Sequence, residues 1–569
     1  MKQENIVENM TESITIDWTW NKEQGSVSTT PGKRLGELMP PPRADRPPIV
    51  AALVGNILKD LTYLIFCNAE ITWLDGASPL GSRILQNSLA FLLAVAAERE
   101  FPDYKLHIFH SLRNGRYCTL FPNNGAPKLN AAAIARLEAA MQDLARQNLP
   151  ITKSIVTKTD AVSFFRHTGD EPKAETLEQL PDKQVTLYTL CGVTRHMFSK
   201  ILPETGALYG FSLHPFENGF VLAANYPGAD GKPAWPTFAY PKTLNATLDN
   251  YNKWIDMQNV NFCCDLNRCV RQNDFNSLVI MAEQRQTRSL QQIADNIADA
   301  FPKVRLVLIA GPSSSGKTSF CNRLAIELRS LGLKPITLSM DNYFRNNDDL
   351  PPAEDGQPDF EAVTAVDTEL FNQQLLQMIA GEPVEMPVFD FVKGERSNRT
   401  ISVQLGTEHI LLVEGIHGIN EQLTHDVPAE NKLKIYISCM TALNMDSLTP
   451  ISTSDNREIR RLVRDVKFRG ISAEKTLLTW QKVRLGEEKN IFPFQDSADF
   501  YFNTSLIYEF SLLAPLITPH LQQIDENSPA YPEARRLLRL VNCFIPADPK
   551  PVPAYSLLQE FLGDSVFEV

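Results

Sequence analysis

Cysteine is scarce: 9 in 569 residues, an odd number that supplies no disulfide framework and suits a reducing compartment. A basic surplus is missing too. The 55 Lys and Arg against 67 Asp and Glu leave a net charge of −12, which excludes a globally basic nucleic-acid binder but not a local basic patch. Long apolar runs are also lacking. The most apolar early stretch, residues 49–67, is broken by Lys59 and Asp60 and is too short for a bilayer. The N-terminal MKQENIVENMTES has no apolar core behind its charges, so no secretory signal is expected there. What remains is an ordinary globular composition, 43% hydrophobic and 21% charged, in a length that predicts about three to four folded units. The expectation is a cytoplasmic multidomain protein without a membrane segment.

Proline marks the first boundary. Met39 to Pro42 and Arg46 to Pro48 close a polar stretch, and residues 1–48 read as a flexible arm. Between 49 and 75, β-like runs (YLIF, EITWL) surround a helical pattern near Val54 to Asp60, which predicts a small α+β unit. Apolar residues at helical spacing follow over 82–100, stopped by Phe101-Pro102-Asp103, and mixed strand and helix signals continue to 241. Residues 242–303 turn helical. Cys263, Cys264 and Cys269 in this connector lack ligand spacing and read as structural thiols.

At Arg305 the character changes. LVLIA (306–310), PITLS (335–339), ILLV (410–413) and KIYIS (434–438) are short apolar runs separated by helical patterns such as Thr368 to Ile379. Such alternation predicts a doubly wound α/β domain with a parallel sheet over 304–520. A proline-rich tail, 521–569, ends in a short helical pattern, YSLLQEFLG.

The first apolar run leads into Gly311-Pro312-Ser313-Ser314-Ser315-Gly316-Lys317-Thr318, which fits G-x-x-x-x-G-K-[ST] between a buried strand and a helix. The glycines let backbone N–H groups of Ser313, Ser314, Ser315 and Ser319 wrap around triphosphate oxygens, and the helix N-terminus adds its dipole. Lys317 supplies a point charge, and the Thr318 hydroxyl suits Mg²⁺. ATP and Mg²⁺ are therefore the expected ligands.

A P-loop alone does not distinguish a kinase from a switch or a motor. PITLS runs into Met340-Asp341-Asn342, which puts Asp341 at the carboxyl end of a neighbouring strand, where ligands of open α/β sheets bind. A carboxylate there can take the proton of an attacking hydroxyl, or it can simply cap a loop. HILLV ends in Glu414, a costly acid to bury unpaired, which implies a cation. In NREIRRLVRDVKFRG, Arg457, Arg461 and Arg464 share one helical face and Arg469 precedes Gly470. Those guanidinium groups can either stabilise a triphosphate or pair locally, for example Arg461 with Asp465.

The order GPSSSGKT, SMDNYF, PDFEAVTAVD, MPVFDF, LLVEGIHG, RRLVRDVKFRG resembles the uridine kinase and phosphoribulokinase family over residues 304–520. That resemblance implies ATP-dependent phosphoryl transfer to a hydroxyl of a small acceptor, most simply a nucleoside. It makes Asp341 the base, gives Thr318 and Glu414 to Mg²⁺, and makes Arg461, Arg464 and Arg469 part of a mobile lid. Acceptor contacts would fall on Tyr343, Phe360, Glu361, Phe389, Asp390 and Phe391. Lys393-Gly394-Glu395-Arg396 stands where uridine–cytidine kinases carry a base-reading histidine, so a sugar or sugar-phosphate acceptor stays open.

The N-terminal half resembles other proteins. Residues 49–75 are similar to TGS domains, and residues 76–241 to the editing-associated second domain of threonyl-tRNA synthetases. Asn87 and Phe91 occupy that domain's His-x-x-x-His positions, and Cys191 and His196 lie in LCGVTRHM with one residue more than its usual spacing. Phenylalanine can neither ligate zinc nor move protons, so the editing chemistry is expected to be gone. An RNA-binding, nucleotide-dependent sensor is the alternative from another class, disfavoured by the net charge.

Overall fold

In the computed structural model, residues 13–43, 46–112, 115–122, 130–224, 242–350, 361–390 and 393–567 are described. The first of them alternate as a strand does, with Ile14 and Ile16 buried and Thr15 and Asp17 exposed. This strand, β1 (Ile14–Trp20), forms a hairpin with β2 (Glu23–Thr29) and lies parallel to β5 (Ala69–Asp75). With β3 (Ile49–Val54) and β4 (Ile57–Lys59) they make one sheet in the order β2-β1-β5-β3-β4. Two expectations are corrected here. Residues 14–29 are not a flexible arm but two strands of the first domain, anchored by Trp20, whose indole donates to Asp75 at 2.9 Å. The helical pattern near Val54 to Asp60 is a hairpin. Gly55, at φ +58°, turns the chain so that Val54 faces Ile57, and the apolar spacing there is too short to fix a period.

Helix α1 (Pro79–Glu100) starts at Ser78, whose hydroxyl caps Gly81, and is apolar nearly all round. It is long and apolar enough to cross a membrane, yet 72% of its most apolar window is buried inside the protein. The surrounding layers are a four-stranded sheet, β11-β12-β7-β6, built from β6 (Tyr104–Leu112), β7 (Gly115–Pro122), β11 (Phe211–Phe216) and β12 (Gly219–Ala224). A three-stranded sheet comprises β8 (Thr152–Thr157), β9 (Gln184–Leu190) and β10 (Val193–His196). The connector is three helices, α2 (Lys242–Gln258), α3 (Cys263–Arg271) and α4 (Phe275–Ala300). Cys263 and Cys264 are buried in it as free thiols.

All four apolar runs seen from Arg305 onward are strands of a single parallel sheet: β13 (Leu306–Ala310), β14 (Lys334–Ser339), β17 (His409–Glu414) and β18 (Lys432–Ser438). A fifth, β19 (Phe500–Asn503), completes the order β14-β17-β13-β18-β19. A hairpin of β15 (Val384–Asp390) and β16 (Glu395–Val403) stands apart from it. Burial of all five residues of β13 explains why that run reads as continuously apolar rather than alternating. Helix α5 (Lys317–Ser330) follows β13, and α6 (Thr368–Ile379) coincides with its sequence pattern. Helices α7 (Thr453–Phe468), α8 (Ala473–Asn490) and α9 (Glu509–Gln522) complete this domain.

The expected tail is also folded. Helix α10 (Tyr531–Val541) and the short α11 (Gln559–Leu562) bury Leu537, Val541, Leu558 and Phe561 in the core around α7 and α9. Arg536 of α10 pairs with Asp455 of α7 at 2.8 Å, and Arg83 of α1 reaches Glu533 at 2.6 Å, so the N-terminal half is tied to the arginine-rich helix.

Candidate active site

Because the five strands are parallel, their carboxyl ends share one edge, and register decides what meets there. Glu414 lies level with Ile309 of β13 and with Ser339 of β14. The turn after β13 carries Gly311, and the turn after β14 carries Asp341 in a 3₁₀ segment, Met340–Tyr343. Three chemical groups distant in sequence are thus delivered to one edge by three consecutive strands, although β14 is not the neighbour of β13 that was expected, since β17 with Glu414 lies between them.

The phosphate loop wraps as its glycines require. A Cβ on Gly311 would sit 2.2 Å from the Ile437 carbonyl, which excludes any larger residue. Ser314 (φ +57°) and Gly316 (φ +85°) take left-handed backbone conformations. The Ser314 and Ser315 hydroxyls are buried without a hydrogen-bond partner among the described residues, a costly state that a phosphate ligand would relieve. Lys317 folds back to donate to the Gly311 and Pro312 carbonyls at 3.0 and 3.3 Å. Thr318 follows in the first turn of α5, half-buried.

Arginines surround this loop. Arg457 donates to the Ser313 carbonyl at 2.9 Å and Arg461 to the Ser313 hydroxyl at 3.0 Å. Arg461 also pairs with Asp465 at 3.3 Å, so the local ion pair and the loop contact coexist. Arg464 and Arg469 lie 3.4 and 3.7 Å from the same Asp465, and Arg469 is half exposed. The first turns of this helix are packed, with Asn456, Arg457, Glu458, Ile459 and Arg460 buried, whereas Lys467, Phe468 and Arg469 at its end are exposed.

The carboxylates are electrostatically linked. Burial pushes the Asp341 carboxyl above its ordinary value, while Lys317 and Arg469 pull it down. Burial, and then the charge of Asp341, push Glu414 up to about 7, with Lys317 and a hydrogen bond from Ser339 opposing. Glu414, buried, and Asp341, half-buried beside it, resist ionising together, which marks a site short of positive charge. Thr318 and Glu414 suit Mg²⁺ held by a carboxylate together with phosphate oxygens. Among the described residues, no cluster of three or more His, Cys, Asp or Glu could hold a metal unaided.

A prediction follows from Glu414. Its folded pKa lies above the unfolded value of 4.5, so the nucleotide-free fold holds a proton that the unfolded chain has released. The resulting stabilisation is complete below about 4.5 and is lost as the pH rises to about 7. Thermal midpoints of the wild type and Glu414→Gln measured across this window should diverge in favour of Gln as pH rises.

On the acceptor side, four of the six implied residues are among the described residues. Tyr343 is wholly buried, its hydroxyl donated to Gln374 at 2.8 Å and its ring edge-on to Phe371, an interior side chain rather than an acceptor contact. Phe389 is 5% exposed and packs edge-on against Phe344. Asp390 receives the Lys393 N–H at 3.2 Å and stabilises a turn completed by Gly394 at φ +71°. At the start of β16, Arg396 donates to the Phe344 and Tyr343 carbonyls at 3.0 and 3.1 Å, locking the hairpin against the segment that carries Asp341. Glu361 packs on α8, where a Cβ on Gly486 would collide with it, and its charge acts on Arg461. Phe360 and Phe391 lie outside the described residues.

Two acids that no motif announces are also here. Glu487 of α8 accepts the Ser313 N–H at 3.0 Å and forms a buried pair with Arg457. Glu560 of α11 accepts the Ser319 hydroxyl at 2.9 Å. Their only sequence trace is position on a helical pattern, which does not reveal a partner more than 150 residues away.

In the N-terminal half, Phe91 is wholly buried, and Asn87 accepts from Arg116 at 3.3 Å. His196 is wholly buried with Nδ1 3.0 Å from the Thr186 carbonyl, while Cys191 is exposed. The two members of the histidine pair are thus replaced by a core side chain and an amide.

A glycine-rich loop between a central parallel strand and a helix, with Glu414 ending the adjacent strand and Asp341 following the next, defines a P-loop nucleotide-binding domain of the α/β class. Residues 306–506 match the model of the Phosphoribulokinase / Uridine kinase family. The N-terminal half is similar to threonine–tRNA ligases: that of Methylobacillus flagellatus is 30% identical over 167 residues, 29% of this chain and 26% of that protein. The ligase of Francisella tularensis subsp. novicida is 29% identical over 164 residues. The chain spans about a quarter of the length of these curated relatives. Among solved structures, a possible uridine kinase from Bacillus stearothermophilus is 18% identical, with 38% of this chain and 98% of that one covered and a TM-score of 0.27. The D-glycerate 3-kinase of Cryptococcus neoformans var. grubii is 14% identical, with 46% and 87% covered and a TM-score of 0.21.

Proposed function

We propose that the C-terminal domain transfers the γ-phosphoryl group of ATP to a hydroxyl of a small acceptor, a nucleoside of the uridine type. The observation that carries this reading is the placement of Asp341 just after β14, next to the strand that ends in Glu414, where the two acids feel each other's charge and that of Lys317.

In this reading the backbone of Gly311 to Ser319 and the Lys317 ammonium hold the triphosphate, and Arg461, Arg464 and Arg469 balance charge on the transferring group. Thr318 and Glu414 hold Mg²⁺, which when bound neutralises phosphate charge. Asp341 orients the acceptor hydroxyl and accepts its proton as the oxygen attacks the γ-phosphorus and ADP leaves. Glu361 is the remaining acceptor-side group near Arg461.

The turn at Lys393 to Arg396, standing where uridine–cytidine kinases read the base, favours a second reading with a sugar or sugar-phosphate acceptor. An unbiased metabolite screen with Mg·ATP, read as new phosphorylated masses, separates the two. Nucleoside monophosphates are the expected products. Phosphorylation of a free sugar regardless of base would overturn the nucleoside assignment. Absence of any product, together with salt-sensitive retention of tRNA, would overturn the kinase assignment itself.

A further inference from the structure

The C-terminal helix α11 lies beyond residue 506, where the family match ends, yet it reaches the phosphate loop. The Glu560 carboxylate accepts the Ser319 hydroxyl at 2.9 Å, and a Cβ placed on Gly316 would lie 3.9 Å from its Oε2. That position is the amino-terminal turn of α5, where N–H groups and the helix dipole favour an anion. Its charge also acts on Glu414 and on Arg464.

Neighbouring contacts hold the segment there. Ser556 donates to Glu283 at 2.5 Å, Tyr555 stacks 5.2 Å from the Arg323 guanidinium, and Arg460 covers the Phe561 ring at 5.2 Å. Lys467, at the end of the arginine-rich helix, donates to the Leu562 carbonyl just before Gly563 (φ +102°) ends the turn. One short helix thereby touches both the phosphate loop and the helix whose arginines face it.

We propose that α11 is an internal competitor of the nucleotide: the Glu560 carboxylate occupies the anion position at the head of α5, and triphosphate binding displaces it. The proposal rests on reading the phosphate loop as a nucleotide site. A triphosphate brought beside a fixed carboxylate is repelled, so bound nucleotide and docked Glu560 oppose each other. Because linkage is reciprocal, anything that captures the released segment raises nucleotide affinity. The competition would make the 555–563 segment a brake on the domain.

The test uses the full chain, since Leu557, Leu558 and Phe561 are buried and truncation would expose core. Glu560→Gln keeps shape and removes charge. Calorimetric titration with Mg·ATP should show this variant binding about tenfold more tightly than the wild type, the effect of relieving one close like-charge contact. Hydrogen exchange of residues 555–563 should accelerate when the wild type is saturated with Mg·ATP. Equal or weaker binding by Glu560→Gln, with wild-type binding that is lost in Lys317→Ala, would overturn the competitor proposal and leave the nucleotide site standing. Weaker binding in particular would make Glu560 part of the Mg·ATP site. Unchanged exchange at saturation would also overturn it. No binding by the wild type or by Glu560→Gln would remove the nucleotide reading and the proposal with it.

Discussion

Asp341→Asn is expected to lower the rate of phosphoryl transfer by about a thousandfold, the range of a lost general base, while Mg·ATP still binds. Asn is isosteric and can still receive a hydrogen bond from an acceptor hydroxyl, but it cannot take the proton. Asp341 is not among the groups given to the triphosphate or to Mg²⁺, so ground-state affinity is maintained. Lys317→Ala should instead weaken binding and turnover together, because its ammonium serves the phosphates before and during transfer. The acid limb of the pH–rate profile should lie above the ordinary carboxylate range, since burial raises Asp341 more than Lys317 and Arg469 lower it. That limb should vanish in the Asn variant. Removing the Asp341 charge should also let Glu414 ionise at lower pH than about 7, because that charge is the second cause of its elevation. Steady-state kinetics and calorimetry on the two variants check these outcomes, and near-normal turnover by Asp341→Asn would remove the base assignment.

Much of the fold was legible because the physics is local. Strands β13 and β17 read as continuous apolar runs because Leu306–Ala310 and residues 410–413 are buried on both faces, whereas β14, exposed at Lys334 and Thr337, carries a weaker signal. The fifth strand of the sheet, Phe500–Asn503, has only four residues and one fully buried side chain, so its apolar signal is faint. The phosphate loop and Asp341 could be read because a strand–turn–helix unit constrains residue types within a few positions. What depended on distant packing was hidden. Ile14 to Thr29 looked like an arm since its alternation becomes meaningful only when Trp20 meets Asp75, 55 residues later. Tyr343 and Phe389 carry aromatic rings that suit either a base or a core, and only their burial decides. Glu487 and Glu560 sit on ordinary helical patterns whose partners lie across the fold.

Glu509→Ala should be the most destabilising single change near the site, by about 3–5 kcal/mol, the usual cost of leaving one member of a buried ion pair uncompensated. Both Glu509 and Arg460 have no side-chain exposure, and the guanidinium Nε meets the carboxylate at 2.6 Å. The other carboxylate oxygen accepts from Asn456 at 2.9 Å, Ser505 at 2.9 Å and the Leu506 N–H at 3.1 Å. One acid therefore joins the arginine-rich helix, the loop after β19 and the start of α9. Arg460 in turn donates to the Thr504 carbonyl at 2.9 Å and lies over Phe561, so its loss of counter-charge propagates to the C-terminal helix. Glu509→Gln retains an acceptor oxygen for part of this network and should cost less. The double change Glu509→Ala with Arg460→Met should recover much of the loss, because no buried charge is then left unpaired. Urea midpoints of the three variants decide the matter: a double variant no more stable than Glu509→Ala alone would mean that the hydrogen bonds to Asn456, Ser505 and Leu506, rather than the ion pair, hold these three elements together.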